Sequence, residues 1–309
     1  MTDRARPSPH AGGGPGARDP GERGCPPGAG AVAGPGPNGA VARRLGRRRV
    51  VALAAGLLAG CTTLRTTPPV TPTEADVEWS WQDVLRERVD ERGRVDFRRL
   101  AAARGPLEIV VAGIAGRAPN TEPLAFPTRR AVIAFHLNAY NALAMYAVLR
   151  AGRPARLDPL DRLDLFRLTR VVVGGREMSL RAYKDDVIRP LGDERVHFAL
   201  NDMAVSSPRL PREPFTAAGL DEELDRATRE FFADPRNVRP DPARRVVGLS
   251  AILDRHRADF PAGAAGLIAY VNRHRHGGPA LPPAPLAPDW AVEVLPFDWT
   301  VNAQPGPGA

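Results

Sequence analysis

Cysteine is nearly missing from this chain: 309 residues contain two, Cys25 and Cys61, and none follows. From residue 62 onward the absence excludes a cysteine nucleophile, a disulfide, a cysteine-based zinc site and an iron–sulfur cluster. Lysine is scarcer still, because Lys184 is the only one and the other 42 basic residues are arginine. Such a lopsided ratio reads as GC-rich coding bias rather than selection of guanidinium groups. Cofactor fingerprints are missing as well. There is no glycine-rich phosphate loop ending in Lys-Ser/Thr, no G-x-G-x-x-G between strand and helix, no H-E-x-x-H and no G-x-S-x-G. No cofactor and no metal are therefore expected, and His274-x-His276, with no carboxylate beside it, reads as a solvated tip.

What is present is 43% apolar and 25% charged residues, enough for one globular domain plus some non-globular length. The formal charge is +8, but residues 1–60 hold nine arginines against three acids, which is +6 of it. The remaining +2 argues against a broad phosphate-binding face, so no nucleic-acid partner is expected.

Residues 1–40 carry 11 Gly and 8 Pro and almost no large apolar side chain, so they read as disordered, and translation is expected to start near Val41. Residues 41–60 have the layout of a bacterial signal peptide. Arg43, Arg44, Arg47, Arg48 and Arg49 precede the apolar run Val50 to Ala59, which is too short to span a bilayer as a helix of roughly 20 residues. Leu58-Ala59-Gly60-Cys61 resembles a lipobox. Cys61 would then carry two or three acyl chains and hold the protein at the membrane of the cell envelope, toward an envelope partner or ligand the sequence does not name. Thr62 to Thr73 reads as a Thr/Pro tether (61–73 with the cysteine), and the folded body is expected over 74–302, leaving 303–309 as a tail.

Within the body, the spacing of Trp79, Trp81, Val84, Leu85 and Val89 predicts a helix ending near Arg92 with Gly93 as its stop. Leu107 to Ile114 predicts a second. Thr128 to Arg150 is the clearest element, capped by Thr128, stopped at Gly152 and apolar on nearly every face, as a central helix would be. Val171 to Met178 reads as a hairpin turning at Gly174-Gly175, followed by a helix from Ser179 to about Arg189. Thr216 to Ala233 is amphipathic. Val246 to Leu249 and Ala291 to Leu295 are strand candidates, with helices after Ser250 and over Ala264 to His274, and a Pro-rich link over Pro279 to Pro288. With no repeat and no regular strand–helix alternation, the expected fold class is α+β, a mainly helical single domain with a small antiparallel sheet.

The block Ala134-Phe135-His136-Leu137-Asn138-Ala139-Tyr140-Asn141-Ala142-Leu143 resembles the signature helix of the family known as domain of unknown function 547. Gly93-Arg94-Val95-Asp96-Phe97, Val196-His197-Phe198-Ala199-Leu200-Asn201 leading to Ser207-Pro208, and Phe297-Asp298-Trp299-Thr300-Val301-Asn302 agree in order, so the similarity covers roughly Trp79 to Asn302. The resemblance implies a fold and a candidate site rather than a reaction. It also implies departures, since the family usually has cysteine where this chain has Asp202 and Ser207, glutamate at Lys184 and tryptophan at His136.

The polar residues inside these apolar blocks are the candidate site. Asn138 and Asn141 share a helix face and must find partners, either neighbouring loops or a ligand. Asn201 and Asp298 are candidates for the same binding role, although Asp298 beside Trp299 also reads as a turn carboxylate. His197 with Asp202 and Ser207 (or Ser206) could supply a base, its orienter and a nucleophile. The leading expectation is a lipid-anchored envelope domain that binds or scaffolds. Its rival is an envelope hydrolase using His197 with Ser207 or Asp202, and this needs His197 within hydrogen-bond reach of a hydroxyl in an open cleft.

Overall fold

A computed structural model describes residues 62–275 and 290–306. The expectations for residues 1–40, for the signal stretch 41–60, for Cys61, for His276 and for the Pro279–Pro288 link lie outside those residues.

The centre is α4, Arg129–Arg150, whose only charges sit at its ends. The Thr128 hydroxyl accepts from the Ala131 amide, closing the first turn as expected. It is the one described helix long and apolar enough to cross a membrane, but most of its apolar surface is buried inside the protein, which makes it a core helix. Around it pack α1 (Glu74–Arg88), α2 (Phe97–Ala102) and α3 (Gly105–Gly116). α1 and α3 approach closely at Gly113, where an added Cβ would meet Val77 Cγ2 at 2.2 Å. α1 ends four residues earlier than predicted. Val89 turns extended and pairs with Val95, and Gly93 (φ 74°) serves the turn between them instead of stopping the helix.

After α4 come the short α5 (Pro159–Leu163) and a π-helical turn, Asp164–Leu168. The predicted hairpin follows, β1 (Arg170–Val173) antiparallel to β2 (Arg176–Ser179), turning at Gly174 and Gly175, both at positive φ. Ser179 caps α6 as predicted, but α6 is only Leu180–Ala182. The chain then widens into a second π-helical stretch, Tyr183–Ile188. The segment read as a tether is fastened at its start. Thr63 pairs in parallel with Arg170, the Leu64 amide donates to the Arg170 carbonyl at 2.7 Å, and Leu64 is buried. The packed body thus extends back through Thr62–Leu64 instead of starting near Glu74.

The last third builds a smaller core. α7 (Leu220–Ala233) starts four residues later than predicted, because Thr216 to Gly219 form a turn in which the Gly219 amide donates to the Thr216 hydroxyl at 3.0 Å. β3 (Val238–Asp241), β4 (Val246–Ser250) and β5 (Ala291–Leu295) form one sheet in that order, and α8 (Ala251–Arg255) and α9 (Gly263–His274) follow β4. β3 was not foreseen. The pairing is also mixed, because β3 and β4 are antiparallel whereas β4 and β5 are parallel. A parallel partner needs a long crossover, and α8 and α9 lie in that connection. The fold class is nevertheless the expected mainly helical α+β. Two apolar clusters result, and the 3₁₀ helix Glu194–Phe198 gives Val196 to the first and Phe198 to the second. His197 therefore stands at their seam.

Candidate functional site

A cleft of about 690 Å³ opens along that seam. One wall is α5 with its π-helical continuation, whose Pro159, Arg162, Leu163, Phe166 and Arg167 recur at helical spacing along one face. Tyr140 of α4, Lys184 and Asp185 of the second π-helical stretch, His197 and Asp202 form the floor, and Ile252, Arg255 and His256 of α8 and its cap close the far side with Trp299. Both π-helical turns among the described residues thus face one cavity. Such widened turns re-aim side chains and are frequent at functional sites.

Two polar networks lie in the floor. Asp202 Oδ1 accepts from Lys184 Nζ and from the Tyr140 hydroxyl, each at 2.5 Å. The Lys184 and Asp202 side chains are only 14% and 16% exposed. Burial alone would raise the Asp202 pKa, but the Lys184 charge and these two bonds bring it below the ordinary carboxylate value. Burial holds Tyr140 well above the usual phenol value, so it stays a donor. In the second network, His197 Nε2 bonds Asp259 Oδ2 at 2.7 Å, and Arg189 grips both Asp259 oxygens at 2.8 and 2.9 Å. The Arg189 bonds draw Asp259 down to about 2. The His256 ring stacks on His197 at 4.0 Å between centroids and 17° between planes. Burial, with the positive neighbours, pushes His256 down to about 3, and burial lowers His197 against the opposing pull of Asp259.

The lining is strongly cationic, with five arginines and Lys184 against two carboxylates, Asp185 and Asp202. Arg181, Lys184 and Arg189 are committed to aspartates. Arg162, Arg167 and Arg255 form no ion pair among the described residues. Rings hold two of them instead, with Arg162 at 4.8 Å and Arg255 at 5.0 Å from the Trp299 ring centroid, and Arg255 at 4.2 Å from that of Phe297. Such stacking orients a guanidinium while leaving its N–H groups free for an anion.

The predicted residues are only partly brought together. His197 and Asp202 share the cleft, but the partner of His197 is Asp259. Ser207 lies elsewhere: its hydroxyl accepts from the Asp202 and Ala204 amides, and it lines a second cavity of about 440 Å³ with Arg92, Arg94 and Asn302. Ser206 accepts from the Asp298 amide at 2.8 Å. No serine, threonine or cysteine lines the main cleft among the described residues, so the His197–Ser207 pairing is not assembled. Asn138 links the Trp81 indole to the Phe215 backbone, and Asn141 joins the Ala199 carbonyl to the Asn201 amide. Asn201 spans the Met203 amide and the Pro208 carbonyl, and Asp298 accepts from Thr300 and Arg156. These four act on neighbouring chain segments. Sequence reasoning gave no site role to Tyr140, Arg162, Arg189, Arg255 or Asp259 and noted Lys184 only as the solitary lysine and as a departure from the family's usual glutamate. The usable signals were the solitary lysine and the His256-x-x-Asp259 spacing.

His197, His256 and Asp259 place potential metal-ligand atoms within 4.8 Å of one another. The set does not fit a metal centre. Stacked, nearly parallel rings keep their nitrogen lone pairs in two separate planes rather than converging on one point, and Arg189 already occupies both Asp259 oxygens with a positive charge. His274 takes no part in this cluster and packs its ring against Tyr270 at 4.8 Å.

Residues 124–232 match the model of the family described as Protein of unknown function, DUF547. That stretch carries α4, both π-helical turns, His197 and Asp202, and it ends before Arg255, His256, Asp259 and Trp299. No curated protein and no solved structure matches the chain.

Proposed function

We propose that this chain is a ligand-binding domain of the bacterial cell envelope, tethered by acyl chains on Cys61, whose cleft captures an anionic small molecule without turning it over. The observation that carries the reading is the trio Arg162, Arg167 and Arg255, gathered in one cleft with no ion pair among the described residues, since the nearest lining carboxylate, Asp202, is already bonded to Lys184. Unpaired cations crowded into a partly desolvated space repel one another, and an anion would relieve that cost with charge-assisted hydrogen bonds. Binding is favoured over hydrolysis because the cleft offers no hydroxyl nucleophile of the serine type, and Asp202, neutralised by Lys184 and Tyr140, is a poor one.

Pyrophosphate titrated against the Trp299 fluorescence tests the cleft. Saturable binding that weakens as sodium chloride rises, and falls at least tenfold in Arg162→Gln/Arg255→Gln, is the expected result. Salt-independent binding, or none, would overturn the reading, as would release of orthophosphate from pyrophosphate or of product from ester and peptide substrates. The anchor is tested separately by labelled palmitate, expected to enter the parent and not Cys61→Ser.

A further inference from the structure

The wall formed by α5 and the turn after it carries three leucines left substantially exposed. Leu160, Leu163 and Leu168 are 74%, 44% and 42% exposed, and Leu163 also lines the cleft. The same wall bears Arg162 and Arg167, two of the three unpaired guanidiniums. Its acids, Asp158, Asp161 and Asp164, stay off the cleft lining, and Leu160 and Leu168 lie outside it on the same short segment. Leu163 thus joins an exposed apolar edge to a cationic cavity. A small anion alone would leave the leucines in water, and a hydrocarbon alone would desolvate the arginines without neutralising them. A molecule that is anionic at one end and apolar at the other satisfies both.

We propose that the ligand is an anionic amphiphile, with a phosphate or carboxylate head among Arg162, Arg167 and Arg255 and a hydrocarbon chain laid over Leu163 toward Leu160 and Leu168. The proposal rests on the anion-binding reading above and adds the tail. The start of the described chain favours the same end of the molecule. The Arg170 amide, two residues beyond Leu168, donates to the Thr62 carbonyl at 2.8 Å, so an acylated Cys61 would hold the apolar edge at the surface where amphiphiles reside.

Alkyl phosphates from ethyl to octyl, each below its micellar concentration, provide the test. Affinity should climb by about fourfold per methylene over the first several carbons, as burial of each group implies. In Leu160→Ser/Leu168→Ser, two exposed positions where the fold has little at stake, the climb should flatten while ethyl phosphate binds as in the parent. Octyltrimethylammonium should not bind. Equal affinity for ethyl and octyl phosphate would overturn the tail and leave the anion reading standing, whereas failure of every phosphate would sink both. Tight binding of octyltrimethylammonium would show apolar adhesion instead of head recognition. Attachment to anionic vesicles that octyl phosphate does not compete for would show surface docking, and would equally overturn capture of a single amphiphile.

Discussion

Lys184 is the one amine in a chain that otherwise uses guanidinium, and its setting explains what an amine does there. A compact ammonium fits between Asp202 and the Tyr140 ring, 4.9 Å from the ring centroid. Lys184→Met leaves Asp202 buried without its counter-charge, and the fold should lose about 3 kcal/mol in urea denaturation. Lys184→Met/Asp202→Asn should recover most of that, because a neutral amide no longer needs the partner. The histidines set a pH dependence whose sign follows from their environment. His136 is pushed down by burial to about 4, and His256 to about 3. The unfolded chain therefore takes up protons near pH 6.5 that the fold refuses. Their stabilising contribution is complete above that pH and drains as pH falls toward 4, with a slope approaching about 1.4 kcal/mol per pH unit for each. Asp259, held at about 2 from an ordinary 3.8, adds a slope of the same sign only at the acid end of this window, as the unfolded carboxylate begins to protonate. His256 Nδ1 has no hydrogen-bond partner, so His256→Leu sacrifices none there and should flatten the slope by one histidine's share between pH 4.5 and 6.5.

Among the elements, α4 was legible because its cap, its ends and its apolar faces are written in consecutive residues. The strand β3 was not, since Val-Arg-Pro-Asp contains a proline that only an edge position tolerates and offers no alternation to read. α1 was overextended because Val89 continues the helical spacing, while its pairing with Val95 is decided by contacts that spacing does not encode. The asparagines of α4 were legible as polar groups in need of partners, and the structure makes Asn141 a splice between α4 and the loop after His197. Asn141→Ala strands the Ala199 carbonyl and the Asn201 amide in a buried place, at a cost of about 3 kcal/mol. Amide exchange at Asn201 should then accelerate well beyond that global loss, whereas uniform acceleration across α4 would show that the splice is not local.

On the scale of the whole molecule, the cleft is a product of assembly, and this is why so little of it could be read in advance. Tyr140 and Asp202 are 62 residues apart, as are His197 and Asp259, while Arg189 and Asp259 are 70 apart. No local pattern announces such pairs; they exist because two apolar clusters meet and leave a charged seam between them. The same long-range logic governs the segment that composition marks as a tether. Composition made residues 62–73 look like a loose extended spacer, yet Thr62 and Leu64 are hydrogen-bonded to Arg170, Leu64 is buried, and Arg65 is ion-paired with Glu177. A strap held at residues 62, 64 and 65 has no slack of its own, so a protein anchored just before it, as proposed above, would ride flush with its membrane instead of swinging on a tether. Trypsin reads the difference, because it needs several residues around Arg65 to be freely extended. Cleavage there should be slow in the parent and at least tenfold faster in Leu64→Ser/Glu177→Ala, which removes the buried side chain and the ion pair together while leaving β1 and β2 paired. Equal rates in the two proteins would mean that the strap is not held, and the body would then be free to swing as composition alone suggests.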